Sequence, residues 1–244
     1  MTERKAAIVT GSSRGIGRAI AVRLAADGID VIVNCRSRRE AADKVVAEIE
    51  AAGGRAVAVQ ADVAVPEQIR ALFAAAEQHF GGVDILVHNA GSPRFTTIAD
   101  ATDEDFEIAF VRSARAAFVA LREAANQLRD GGRIVVISSG SSVDHIPNGG
   151  IYGAGKAATD RMVRTVAQEL GPRRITANSV LPGATRTDGL LEHLPAGAVD
   201  RLAALSPLGR IAEPEDIADV VAFLTSDAGR WVTGQAIRAH GGAS

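Results

Sequence analysis

Sulfur and aromatic side chains are scarce in this 244-residue sequence, which holds one cysteine (Cys35), one tyrosine (Tyr152), one tryptophan (Trp231) and 4% aromatic residues in all. A lone cysteine excludes an internal disulfide and suits a reducing compartment. So few rings argue against a stacking platform for single-stranded nucleic acid. Neither sign of charge is in excess. The 27 basic and 29 acidic residues give a formal charge of −2, with no dense Lys/Arg block to meet a phosphate backbone. No His/Cys/Asp grouping has metal-ligand spacing, so no catalytic metal is expected. Long apolar runs are missing too. The few apolar residues between Lys5 and Gly11 are too short for a secretion signal or a membrane span. The expected location is cytoplasmic.

What is present is 47% hydrophobic residues, enough for a large core. Short runs rich in Val and Ile alternate with amphipathic stretches, the pattern of repeated strand–helix–strand units. Strands are expected at 5–10, 30–35, 55–60, 83–88, 133–138, 174–180 and 235–239. Helices are expected at 14–27, 38–52, 66–80, 102–129, 151–170 and 214–226, with Pro66 as a start signal and Gly53-Gly54, Gly81-Gly82 and Gly171-Pro172 as stops. Right-handed crossovers wind such a chain into an α/β fold. The expected architecture is a single domain over 1–244, a Rossmann-type doubly wound parallel sheet of about seven strands with helices on both faces. Residues 182–207 have weaker periodicity and read as a flap over a site, centred on about 186–206. Its Arg186, His193 and Arg201 either meet a polar substrate or are simply solvated.

Gly11-Ser12-Ser13-Arg14-Gly15-Ile16-Gly17 lies where the first strand hands over to the first helix. Glycines there let backbone amides approach a pyrophosphate, whose charge the helix N-terminus favours. The end of the second strand distinguishes the two nicotinamide cofactors. A carboxylate would hold the adenosine ribose of NAD, but the chain reads Asn34-Cys35-Arg36-Ser37-Arg38-Arg39. Arg36 and Ser37, with Arg14 from the glycine turn, suit the 2′-phosphate of NADP(H).

Tyr152 and Lys156 are four residues apart on an expected helix, so their side chains share a face. A free phenol titrates near 10, and a neighbouring ammonium is expected to pull it lower, toward the range a general acid/base needs. Ser139, at the carboxyl end of a strand, stands thirteen residues before Tyr152. Ser139-Gly140-Ser141-Ser142 lacks the glycine pattern of a hydrolase nucleophile elbow. Asp144 and His145, between Ser139 and Tyr152 in a stretch expected to line the substrate pocket, either bind a polar substrate or leave His145 simply exposed.

Together these residues closely resemble the short-chain dehydrogenase/reductase family, over nearly the whole chain. The resemblance runs through Thr10-Gly11 to Gly17, Asp62-Val63, Asn89-Ala90-Gly91, Ser139 with Tyr152 and Lys156, Pro182-Gly183 with Thr185 and Thr187, Thr233-Gly234-Gln235, and Gly241-Gly242. The 3-oxoacyl carrier-protein reductases look most similar. The resemblance implies that Tyr152 exchanges the substrate proton, Ser139 holds the substrate oxygen, and Lys156 binds the nicotinamide ribose and lowers the tyrosine pKa. It further implies that Asp62 faces the adenine, that Asn89 stiffens the central strand, and that the segment from Pro182 to Thr187 meets the nicotinamide carboxamide. A homotetramer with two-fold interfaces is implied as well, consistent with apolar Phe110, Phe118, Met162, Val163 and Val166 on the helices at 102–129 and 151–170.

Two positions depart from the family pattern. Ser113, in Val111-Arg112-Ser113-Ala114, falls where the family carries an asparagine of the proton relay, and His240 replaces a more usual acid or asparagine. The expected activity is hydride transfer between NADP(H) and a small-molecule carbonyl/alcohol pair, most simply reduction of a ketone or 3-oxoacyl group. The competing expectation is an NADP-binding regulatory or scaffold protein with little turnover, since a fold alone does not give function.

Overall fold

The structure, a computed structural model, describes residues 4–91, 93–192 and 194–243. His193, one of the flap residues singled out above, lies outside the described residues. The strands are β1 (Ala6–Val9), β2 (Asp30–Cys35), β3 (Ala56–Gln60), β4 (Val83–His88), β5 (Leu128–Ile137), β6 (Thr176–Pro182) and β7 (Ala236–Ala239). They pair in parallel in the order β3-β2-β1-β4-β5-β6-β7. Every side chain of β1 and β2 is buried, which is why these strands read as continuous apolar runs instead of alternating.

Helices cover both faces. Helices α1 (Gly15–Ala26) and α2 (Arg39–Ala51) lie on one side, with the late helix at Pro214–Thr225, and enclose a cluster that includes Val9, Ile20, Leu24, Val33 and Val221. On the other side, α3 (Pro66–Phe80) and two later helices enclose Ile8, Leu72, Phe73, Leu86, Ile134 and Val163. The strand order reverses between β1 and β4. In such sheets the crevice at the carboxyl ends of those strands is where ligands sit.

Three expectations need correction. The helix expected at 102–129 is three pieces: α4 (Asp103–Phe110), a π-turn at Val111–Arg115, and α5 (Ala116–Gln127). Thr102 opens α4 with a reciprocal cap, its hydroxyl accepting the Asp105 N–H at 3.1 Å while the Asp105 carboxylate accepts the Thr102 N–H at 3.2 Å. The strand expected from 174 begins at Thr176, because Arg174 sits at φ 57°, a left-handed conformation no strand accommodates. The strand expected at 133–138 begins earlier, at Leu128, and takes the last two residues of the helix expected at 102–129. The segment after β6 carries two short helices, α7 (Asp188–Leu191) and α8 (Ala198–Ala204), before α9 (Pro214–Thr225). Between β5 and β6 lies α6 (Gly150–Glu169), which bears the Tyr152/Lys156 pair.

Candidate active site

The turn from β1 to α1 is built to receive an anion. The residue before α1, Arg14, is extended and makes no side-chain cap, and the first turn holds no acid, so the leading N–H groups of α1 are left for an outside partner. Gly15 has φ 54°, which a side chain would strain. A Cβ on Gly17 would collide with the Gly11 carbonyl oxygen and with the Asn89 amide, so the close approach of helix and strand requires glycine.

Two residues that the sequence did not single out hold this turn. Asn34 accepts the Gly11 N–H at 3.0 Å and donates to the Ala61 carbonyl at 3.0 Å, tying the turn to the end of β3. The Ser12 hydroxyl donates to Val9 O at 2.7 Å and accepts the Asn34 N–H at 2.9 Å. Asn34 stands next to last in β2, and a single amide there makes no pattern in the sequence.

Ser13 and Ile16 are partly buried in the turn, while Arg14, Arg36 and Ser37 are exposed at its rim. Among the described residues no carboxylate pairs with Arg14 or Arg36, whereas Arg39 is bound to Asp43 at 2.9 Å, the solvated pair expected at a helix start. Asp62 closes the turn after β3. Its carboxylate accepts the Ala64 N–H at 2.9 Å, and neighbouring Val63 is buried. An uncapped helix start, a turn that admits no side chain and two unpaired guanidiniums fit a 2′-phosphorylated dinucleotide.

Asn89, Ala90 and Gly91 carry this turn toward the reacting centre. The Thr10 hydroxyl accepts N–H bonds from Asn89 at 2.9 Å and Ala90 at 3.0 Å, and the Asn89 amide donates to the carbonyls of Thr10 and Gly11 at 3.1 and 3.2 Å. With its lone pairs used, the Thr10 hydroxyl can still donate to His88 Nδ1, 3.4 Å away. That leaves the His88 proton on Nε2. Burial, helped by the nearby Lys156 charge, drives His88 down to about 3, so the ring is neutral. Gly91 faces Lys156, whose Nζ would lie 3.4 Å from a Cβ placed there.

Lys156 is 4% exposed and donates to the Ile137 carbonyl at 2.9 Å. Burial lowers its pKa from 10.5 to about 8, against the opposing pull of Asp160. Tyr152 stands one turn earlier with Phe95 edge-on against its ring, centroids 5.5 Å apart. The expectation that the ammonium would pull the phenol below 10 is not met. Burial pushes the Tyr152 phenol above 10, opposed by a hydrogen bond with Ser139. Lys156 Nζ is 5.9 Å from the ring centroid and engaged with a carbonyl, too removed to reverse the effect of burial. Ser139 begins a short 3₁₀ turn, accepting the Ser141 N–H at 3.2 Å, with its Oγ 3.1 Å from Ser141 Oγ.

Ser113 lies inside the π-turn. Its hydroxyl is buried with no hydrogen-bond partner among the described residues, and its Cβ would be 3.4 Å from a Cβ on Gly155, the residue before Lys156. A π-turn interrupts the helical ladder and is often found at functional sites. No periodicity in the sequence announces one.

The opposite wall is the end of β6. Gly183 packs on His240, where a Cβ would come 2.8 Å from the histidine Cβ. Thr185 is buried and donates to the Gly183 carbonyl at 3.1 Å. Thr187 caps α7 and would touch a Cβ on Gly15 at 3.1 Å, which brings the segment after Pro182 onto the glycine turn. Two suspected substrate contacts are otherwise engaged. Asp144 pairs with Arg238 at 3.0 Å, and Arg186 pairs with Glu213 at 2.9 Å, while His145 is exposed.

A parallel sheet with its site at the strand-order reversal, a bare helix start and a Tyr–Lys pair define an oxidoreductase of the dinucleotide-binding class. Residues 11–244 match the family described as enoyl-(acyl carrier protein) reductase. The chain is 44% identical to a versicolorin reductase of Emericella nidulans, over 98% of this chain and 95% of that protein. Among solved structures, the angucycline C-6 ketoreductase LanV with bound NADP superposes with a TM-score of 0.93 at 40% identity, covering 98% and 95% of the two chains. A short-chain dehydrogenase from Burkholderia cenocepacia in complex with NADP gives 0.92 at 40% identity, covering 100% and 99%. The chain belongs to the short-chain dehydrogenase/reductase family.

Proposed function

We propose that this protein is an NADP(H)-dependent carbonyl reductase in which Ser139, Tyr152 and Lys156 form the reacting centre. One observation carries the reading. The sheet brings the Tyr152/Lys156 helix and Ser139 to the strand ends beside Asn89-Ala90-Gly91, which is hydrogen-bonded to the Gly11 turn. Arg14, Arg36 and Ser37 would hold the 2′-phosphate, and the leading amides of α1 with Gly11, Ser13, Gly15, Ile16 and Gly17 the pyrophosphate. Asp62 and Val63 would flank the adenine, and Pro182, Gly183, Thr185 and Thr187 the nicotinamide. The dinucleotide, when bound, supplies the hydride.

The chain supplies the proton and the orientation. Ser139 Oγ donates to the substrate carbonyl, and the Tyr152 O–H gives its proton to the developing alkoxide. A phenol held above 10 carries its proton at neutral pH and so has one to give as the alkoxide develops. Lys156, fixed by Ile137 O, directs its ammonium toward the cofactor ribose. With no asparagine at Ser113, the relay would run past a serine hydroxyl.

Phe95 and Ile98 are exposed, and the Thr96 N–H binds the Asn148 carbonyl at 2.8 Å, so this apolar loop borders the approach to Tyr152. Such a mouth, and relatives named for versicolorin and angucycline reduction, support a bulky, ring-containing ketone. The segment at about 186–206 would close over it. We also propose a cytoplasmic homotetramer.

The test is Tyr152→Phe. Turnover of NADPH with a ketone should fall by ~10²-fold or more while NADPH binding, followed by its fluorescence, is kept. Turnover near the original rate would show that Tyr152 is not the acid.

A further inference from the structure

Asp160 lies one turn beyond Lys156 on the same face of α6 and is 5% exposed, although α6 faces the sheet there. Both its carboxylate oxygens are buried with no hydrogen-bond partner among the described residues. The nearby groups of the sheet are uncharged. Val136 and Ala177 belong to the apolar cluster that includes Val163 and Ala167 of α6. Strand alternation therefore turns Ser138 and Ser179, each two residues further on, to the same side, and both hydroxyls are buried and unpartnered. A carboxylate taken out of water without donors is strongly disfavoured unless a charge compensates it. Lys156, equally buried, has one N–H on Ile137 O and the same need for a countercharge.

We propose that Asp160 is a positioning residue whose buried carboxylate holds Lys156 as a charged ammonium, aimed at the cofactor. This rests on the assignment of Lys156 to cofactor binding made above. The other groups around Lys156 add no negative charge: the phenol of Tyr152 from α6, the neutral ring of His88 from β4, the Ile137 carbonyl from β5 and, beside neighbouring Gly155, the Ser113 side chain from the π-turn. On α5, Glu123 is already engaged by Arg70 and Arg122. Arg112 of the π-turn is a partly exposed cation and gives no support to a second positive charge. Asp160 is the one charge that raises the Lys156 pKa against its burial.

The experiment measures NADPH dissociation constants from pH 6 to 9.5 and melting temperatures for the full-length wild type, Asp160→Asn, Asp160→Glu, Lys156→Met and the double variant Lys156→Met/Asp160→Asn. The wild type should lose affinity above pH 8 or so, as Lys156 loses its proton. In Asp160→Asn this loss should begin about one pH unit lower. Affinity should then be about five-fold weaker than wild type at pH 8 and nearly equal at pH 6. Asp160→Glu should return the profile toward wild type.

Melting decides the pair without reference to the cofactor. Asp160→Asn should lower the melting temperature of the wild type, and raise it in the Lys156→Met background, where it removes a lone buried charge. Superimposable pH profiles for wild type and Asp160→Asn, or the same sign of melting shift in both backgrounds, would overturn the proposal. If Asp160→Asn alone does not fold, the Glu variant and the comparison of Lys156→Met with the double variant still decide it. Should Lys156→Met bind NADPH as tightly as wild type, the cofactor role of Lys156 fails, while the melting cycle still reports on the coupling of the two charges.

Discussion

Burial shifts three titratable groups around the reacting centre. It holds Tyr152 protonated, lowers Lys156 to about 8 and takes His88 down to about 3. The His88 shift has a consequence for stability. The folded state refuses a proton until about pH 3, whereas the unfolded chain accepts one near 6.5. The unfolded state therefore binds more protons throughout that window, so stability is fully present above 6.5 and declines as pH falls toward 3. At most, each pH unit in the window costs about 1.4 kcal/mol. His88→Asn keeps an acceptor for Thr10 but cannot titrate. Its melting temperature should fall less between pH 6.5 and 4 than that of the wild type. Parallel curves would mean that His88 is not buried neutral. Tyr152, Lys156 and Ser139 were legible because their types and spacing make a motif. Asp160 and Asn34 were not, because one polar residue in a buried run carries no pattern until the neighbours that surround it are known.

Two element ends, rather than one residue, would set the choice of cofactor. The start of α1 offers unpaired N–H groups and Arg14, and the end of β2 offers Arg36. Neither guanidinium has a carboxylate partner among the described residues, so both can face a phosphate. Arg36→Ala should weaken NADPH by ~10- to 100-fold, the loss of a charge-assisted hydrogen bond worth roughly 1.5–3 kcal/mol, and leave NADH nearly unchanged. Equal affinity of the unaltered protein for NADPH and NADH would contradict this. The same scale shows where sequence periodicity stops. The helix expected at 102–129 is broken by a π-turn that carries Ser113, a change in backbone hydrogen bonding that residue types alone do not mark.

At the scale of the whole molecule, apolar side chains remain outside both clusters. Phe106 stacks on Phe110 with centroids 4.3 Å apart, and Phe106 and Phe118 are each about half exposed, at 47% and 48%. Trp231, beside β7, is 94% exposed. Of the residues expected at an interface, Val163 belongs to the core instead, fully buried in the cluster under α6. Met162 and Val166 of α6 are partly buried against the same cluster, which leaves Phe118 with Phe106 on α4–α5, and Trp231 near β7, as the apolar surface an assembly could cover. Light scattering at micromolar concentration should give four times the chain mass of 25.3 kDa. A monomeric mass would reject the tetramer.

The order of strands and helices, the glycine turn, the choice of arginine over an acid after β2 and the Tyr152/Lys156 spacing were all determined by the sequence alone. Each is a local property, set by backbone freedom, side-chain charge and period along the chain. The tertiary structure decided what depends on neighbours distant in sequence. It set the sign of the Tyr152 shift, because burial beneath Phe95 outweighs a lysine that already serves Ile137 O. It tied Asp144 and Arg186 into ion pairs, and it placed a buried carboxylate one turn from Lys156. Solvation and pairing are relations between segments, and they acquire a sign and a size only when the sheet has brought those segments together.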